Sequence, residues 1–485
     1  MSKKRVLKSL KDRLSGIFQN NSFAHGVGVL VSGTAASQLL MALAAPILTR
    51  LYTPEDFGMF AVYTGLFTIL DIVSSLRYEL AIPLPKDDQD AAHVAVLGLL
   101  IVVVSTGVTL LLVLFFSKRI AVLAGVPKLA GYLWLLPCGV LLQGFSTVFN
   151  YWAIRTKQFS IISGTQFRRG LGTVAIQLSG YKAGGISLLF AAVGSQCIGS
   201  FSLGKMIWFR PEFRQITWDG LKRAAHRYKQ FPMYSTLASF FNSSGSQLPP
   251  LIFAVLFSSS AAGLYALANR VLAMPMALVG NAVGNVFFSN AVDAHRKGTL
   301  GILVTHLHDR LAHIAMPPVL VLVVVGPDIF ALIFGEKWRM AGEFARWLAL
   351  PLYGSFVTSP LSQVFSIIEK QGVVLFLQVL LFVTRIIMIL VGVYYHSLLL
   401  AIALFSVGSL ICYLLYVVIV VRFSGGNGII VFSSLAKSFL LSIICVAPLI
   451  MYEIIGGAVF SIFISFVSVF FLLLIRYFFI IKNQY

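Results

Sequence analysis

The stretch GTQFRRGLGT, residues 164–173, sets Arg168 and Arg169 side by side in a segment that otherwise reads as a membrane-spanning helix. Arginine at bilayer depth costs roughly 2.5 kcal/mol or more, and it normally faces a bundle interior or a watery cavity. Each end of the segment is about ten residues away, about 15 Å along a helix, which is beyond the reach of an extended arginine. The planar guanidinium fork matches the oxygens of phosphate and carboxylate groups. The chemistry on offer is therefore capture of an anion inside the membrane.

Further cations lie in the same setting. Arg270 and Arg385 fall within later apolar segments, and Arg50 and Arg77 sit at segment ends, where snorkelling to the interface competes with a site role. Asp71 is the one acid deep in the spans of the first half, and it reads either as a proton or sodium site or as a structural partner of a buried arginine. No catalytic constellation, metal-ligand spacing or Walker A sequence is present. No cofactor is expected beyond a coupling H+ or Na+ gradient. His306 and His308 read as solvated members of a basic loop, and Asp87, Asp88 and Asp90 as a solvated acidic loop rather than a metal-binding motif.

The elements that must position these residues follow from composition. The chain has 485 residues, 58% hydrophobic and only 11% charged, against about 25% charged in soluble domains. Apolar segments of span length recur from end to end, so the fold class is an all-α polytopic membrane protein with about fourteen helices. The expected limits are 24–49, 57–76, 92–116, 130–152, 159–181, 184–207, 231–257, 261–289, 311–334, 341–367, 372–394, 396–421, 427–452 and 456–481. The net charge of +20 is not a nucleic-acid signal. Most of the Lys and Arg gather in the loops that a cytoplasmic N-terminus places inside, which also puts the C-terminus inside.

Five regions result. Residues 1–22 form a basic amphipathic segment suited to lying on anionic lipid. An N-lobe of six spans covers 23–207, a basic cytoplasmic loop 208–230, a C-lobe of six spans 231–422, and two extra spans 423–485. The lobes look like a repeat: LYTPEDFGMFAV (51–62) aligns without gaps to LFSSSAAGLYAL (256–267), matching Gly58 to Gly263, and IRTKQ (154–158) falls opposite IIEKQ (367–371). Six spans is an even number, so the repeat is parallel, about an axis along the membrane normal. Prolines inside spans, among them Pro46, Pro137, Pro250, Pro275, Pro317, Pro318 and Pro351, are expected to kink them.

The stretches TRLYTPEDFGMFAVY and SLRYELAIPLP resemble the first- and second-loop patterns of the polysaccharide-biosynthesis flippases of the MOP exporter superfamily, which carry O-antigen and capsule repeat units. The resemblance implies a MATE-like fold. It also implies an inner-membrane flippase for an undecaprenyl-diphosphate-linked glycan, working by alternating access around a central cationic cavity and not an enzyme. Other glycan-assembly proteins, a polymerase and a chain-length regulator, would be partners alongside the lipid bilayer. Three alternatives stay open: a multidrug or other small-molecule exporter, which would want an acidic cavity; a membrane polymerase or ligase, which would want a large external loop; and a purely structural membrane scaffold, which would not need buried arginines.

The charge bias makes a direct prediction. A single cysteine at Lys337 should react with an impermeant thiol reagent added to intact cells, and one at Lys222 should not; labelling at 222 would overturn the topology.

Overall fold

The computed structural model describes residues 22–208, 210–368 and 370–455, together with 467–469, 472, 473 and 476. The basic segment 1–22, apart from Ser22, and most of the expected span 456–481 lie outside these. No strand occurs among the described residues. Among them run thirteen helices of 21 residues or more: α1 (Ser22–Leu51), α2 (Pro54–Ser74), α3 (Asp88–Leu123), α4 (Leu135–Arg155), α5 (Phe159–Ser179), α6 (Gly185–Trp208), then, after the short surface helix α7 (Trp218–Arg227), α8 (Thr236–Leu256), α9 (Ser259–Arg296), α10 (Leu300–Phe334), α11 (Arg339–Leu361), α12 (Gln371–Tyr394), α13 (Leu398–Ser424) and α14 (Gly428–Ile455). Eight of them are long and apolar enough to cross a membrane on composition alone. α5 is not among those eight, because its arginines, glutamines and glycines dilute its apolar character.

Contacts divide the chain at Gly263, giving units Met1–Gly263 and Leu264–Tyr485. The division falls one helix beyond the basic loop, because α8 packs on α2 and the first turn of α9 contacts the start of α2. In the first unit α1 packs on α5, α5 on α6, α6 on α4, and α3 on α4. The basic region 208–230 is not all loop. Its α7 docks on α3, with Leu221 and Ala224 buried and Lys222, Arg223 and Arg227 left exposed. In the second unit α10 packs on α11 and α14, and α13 on α11 and α12, around a core that includes Tyr353, Phe356, Phe365 and Tyr416. Large apolar side chains cover much of the outside, such as Leu39, Leu43 and Ile47 at four-residue spacing along α1. Such a stripe belongs in lipid.

The motif LYTPEDFG acts as a staple. Thr53 caps α2: its Oγ1 accepts from Asp56 N at 3.2 Å, and Asp56 Oδ2 accepts from Thr53 N at 2.9 Å, the reciprocal capping box. Pro54 occupies the first turn, where its missing donor costs nothing. Asp56 Oδ1 also accepts from Gly185 N at 2.6 Å, tying the start of α2 to the start of α6. Tyr52, fully buried, donates to Gln177 O at 2.5 Å and lies 2.5 Å from Ser187 Oγ, joining the end of α5 to the same corner.

The repeat partner of this motif meets it. A Cβ on Gly58 would lie 1.8 Å from Ser259 O, and one on Gly263 would lie 1.9 Å from Pro54 O. Ser259 aligns with Pro54 and Gly263 with Gly58, so each glycine of the aligned pair meets the helix start that carries the other. The prolines differ in their effect on the helices. In α10 the backbone leaves helical geometry at Val325 (φ −116°, ψ 22°), two residues before Pro327 rather than at Pro317 or Pro318. Pro137 falls in the first turn of α4, where no helical hydrogen bond is lost, so no kink is required there.

Because two backbones touch at the glycine pair, a branched side chain there must push them apart. Gly58→Val or Gly263→Val should each cost about 1–3 kcal/mol by overpacking, read as a lowered thermal midpoint of the purified protein, and the double variant should lose less than the sum because the sites are neighbours. Unchanged midpoints in both single variants would refute the contact.

Candidate functional site

α5 is drawn tightly against α1 by small residues on both helices. A Cβ on Gly33 would lie 2.0 Å from Ser163 Oγ, and one on Gly170 would lie 2.2 Å from Ser37 Oγ. Small residues at a helix crossing permit this approach, and it aims one face of α5 at α4 and α6. Arg169 is on that face. Its Nη2 donates to Gln143 Oε1 of α4 at 3.0 Å and to Gln196 Oε1 of α6. Gly199 leaves room for the stem, since a Cβ there would lie 3.1 Å from Arg169 Cδ. The charge is thus held by the negative ends of two amide dipoles rather than by a carboxylate.

Beside Arg169 opens a cavity of about 370 Å³ walled by α1, α2, α4, α5 and α6. Its polar lining includes Ser37, Gln38, Thr68, Gln166, Thr173 and Gln196, and no carboxylate is in it. Asp71 lies just beyond, on the face of α2 that carries Thr64 and Thr68, by the three- and four-residue spacing of a helix. Its carboxylate is within electrostatic range of Arg77, Glu79 and Arg169, and Ser74 Oγ donates to its backbone carbonyl at 2.7 Å.

Arg168 goes elsewhere. It is exposed on the side of α5 that also shows Phe167 and Leu171, and no hydrogen bond or ion pair joins it to a described residue. Arg50 is exposed in the last turn of α1. Arg77 adopts the left-handed conformation (φ 60°) at the turn after α2 and pairs with Glu79 at 3.4 Å. Glu79, 1% exposed, also accepts from Ser75 Oγ at 2.5 Å. This buried acid was not legible in the sequence, where it falls just past a span. The available signal was the close spacing Arg77–Glu79 in SLRYELAIPLP.

In the second unit Arg385 of α12 lies against α13. Its Nε donates to Ser409 Oγ at 3.2 Å, its Nη2 to Tyr413 Oη at 3.3 Å, and its guanidinium sits 5.3 Å from the centre of the Phe405 ring, within cation–π range. Arg270 is half-buried on α9. The structure corrects the reading of His306 and His308 as loop residues. α10 begins at Leu300, both lie within it, and His308 is fully buried. The reason is the apolar stripe Leu300, Val304, Leu311 and Ala315, all buried at helical spacing, which carries the helix well before the apolar run begins.

A family model described as "Polysaccharide biosynthesis protein" matches residues 47–343, more than half of the chain. No curated protein matches the sequence significantly. Among solved structures, the lipid II flippase MurJ in its inward closed conformation aligns with a TM-score of 0.75 at 13% identity, over 94% of this chain and 99% of that one. An inward-facing multidrug resistance MATE family transporter of the MOP superfamily aligns at 0.52 and 16% identity, covering 82% of this chain and 93% of its own. A MOP superfamily transporter from Pyrococcus furiosus, with a binding pocket of reverse polarity, aligns at 0.51 and 13% identity, covering 82% and 95%. At these identities the likeness is one of fold, and the fold is the MOP fold.

Proposed function

Since the chain belongs to the polysaccharide biosynthesis protein family, we propose that it is a flippase. Its cargo is an undecaprenyl-diphosphate-linked oligosaccharide repeat unit, carried across the bacterial inner membrane by alternating access, with both termini cytoplasmic. It transports without catalysing a covalent step, and a polymerase and chain-length regulator act on what it delivers. The likeness to the lipid II flippase MurJ supports a lipid-linked cargo on this fold.

The observation that carries the reading is the divergence of the arginine pair. A diphosphate joined to a prenyl tail must sit where polar protein meets lipid. Arg168, exposed beside Phe167 and Leu171, meets that requirement in this reading, and its fork is not committed to a described residue. Arg169 points inward and is already engaged. In this reading Arg168 grips the diphosphate first, Arg169 holds the cavity next to it in shape, and Arg270, Arg385, Arg50 and Arg77 supply further positive charge to the anion's path. Asp71, within range of Arg169, is the acid whose protonation or Na+ binding would couple the cycle to a gradient.

A charge-assisted hydrogen bond is worth about 1.5–3 kcal/mol, so Arg168→Ala should weaken binding of undecaprenyl diphosphate about ten- to a hundredfold. It should also sharply reduce surface glycan in a strain lacking the native gene, at normal protein level, with Arg168→Lys restoring part of it. Full surface glycan from an Arg168→Ala, Arg169→Ala double variant would refute the binding role. Asp71→Asn should slow transport into vesicles and remove its response to an imposed proton or sodium gradient. An unchanged response would make Asp71 structural.

A further inference from the structure

The cavity beside Arg169 has a composition that the anion-binding role does not use. Apart from one guanidinium, its polar groups are neutral: the amides of Gln38, Gln166 and Gln196 and the hydroxyls of Ser37, Thr68 and Thr173. The amides both donate and accept, while the hydroxyls of Thr68 and Thr173, which donate to Thr64 O and Arg169 O, offer acceptors. That suits a ligand made of hydroxyl groups, each of which also does both. Of the guanidinium's nitrogens, Nη2 is already committed, donating to Gln143 and Gln196. By taking the Oε1 atom of Gln196, Arg169 leaves that amide's Nε2 hydrogens to donate elsewhere.

Two further features point to a ligand. Tyr63 lines the cavity and is 1% exposed; its buried hydroxyl oxygen, 3.3 Å from where a Cβ on the cavity residue Gly139 would lie, has no hydrogen-bond partner among the described residues. A buried hydroxyl left unpaired is costly. The Tyr63 ring lies parallel to that of Phe67 (centres 6.3 Å apart, planes 3° apart), and both line the same cavity. Aromatic faces of this kind pack against the C–H faces of pyranose rings. The volume of about 370 Å³ is in the range of small-molecule sites and suits a monosaccharide or disaccharide. No carboxylate in the lining favours a cationic drug.

We infer that this cavity is a sugar-binding subsite, which takes the first saccharide of the lipid-linked cargo while the diphosphate is held outside it. The inference rests on the flippase reading and deepens it, because it assigns discrimination between glycans to neutral amides and hydroxyls rather than to the arginines. Gln166 and Tyr63 are the contacts, and Arg169 is a positioning residue.

The test uses the full-length protein in lipid nanodiscs and measures binding of four probes: undecaprenyl diphosphate, and the same lipid carrying galactose, N-acetylglucosamine or a disaccharide of the two. At least one sugar-bearing lipid should bind the wild type about tenfold more tightly than undecaprenyl diphosphate, the gain expected from two or three neutral hydrogen bonds. Gln166→Ala and Tyr63→Phe should each remove most of that gain and leave the affinity for undecaprenyl diphosphate within about twofold. Tyr63→Phe deletes only an oxygen with no described partner, so it tests the site without endangering the fold. If undecaprenyl diphosphate binds but no sugar improves it, or if both variants weaken all probes alike, the subsite is overturned while the flippase reading stands. If undecaprenyl diphosphate itself does not bind, the flippase reading fails and the subsite falls with it.

Discussion

A guanidinium inside a bundle of apolar helices needs acceptors, and much of the first unit is arranged to supply them to Arg169. Two glutamine oxygens on different helices accept from one of its nitrogens. That demands that α4, α5 and α6 pack against one another at this level. The convergence in turn needs Gly199 beside the arginine stem and the serine–glycine contacts between α1 and α5. Neutral acceptors are a consequential choice. A carboxylate partner would cancel the charge and make a closed ion pair, whereas amides disperse it and keep the surroundings polar, which leaves an open cavity lined by groups of the same kind.

The second constraint acts at the other end of the same helices. Tyr52, Thr53, Asp56 and Gly58 are the most recognisable residues in the chain, yet each has a structural role. They bind helix ends to one another through hydrogen bonds to α5 and α6 and a backbone contact to the start of α9. A pattern that identifies the family need not mark where cargo binds. This one marks where helix ends are pinned, and the close backbone contacts at Gly58 and Gly263 are a physical reason for both positions to hold a residue without a Cβ.

Charge and neutrality then divide the work proposed for the protein. Arg168, exposed among apolar neighbours, is suited to an anion attached to a lipid tail; the amide and hydroxyl cavity is suited to what is attached beyond that anion. The two adjacent residues face different surroundings because a helix turns about 100° per residue.

Long helices among the described residues were legible because crossing a bilayer is a one-dimensional constraint on length and apolarity along the chain, and α5, expected at 159–181, runs Phe159–Ser179. The glycine match between the halves was legible for a related reason, since close contact restricts residue type at single positions. The sequence also showed that Arg168 and Arg169 had to be accommodated. What it could not show is which of them turns inward, because that depends on Gln143 and Gln196, on other helices and brought near only by packing. The burial of Glu79 and His308 was hidden for the same reason. A charged or polar residue next to an apolar run reads as solvated until the fold lays another helix over it, and only the tertiary structure decides where that helix lies.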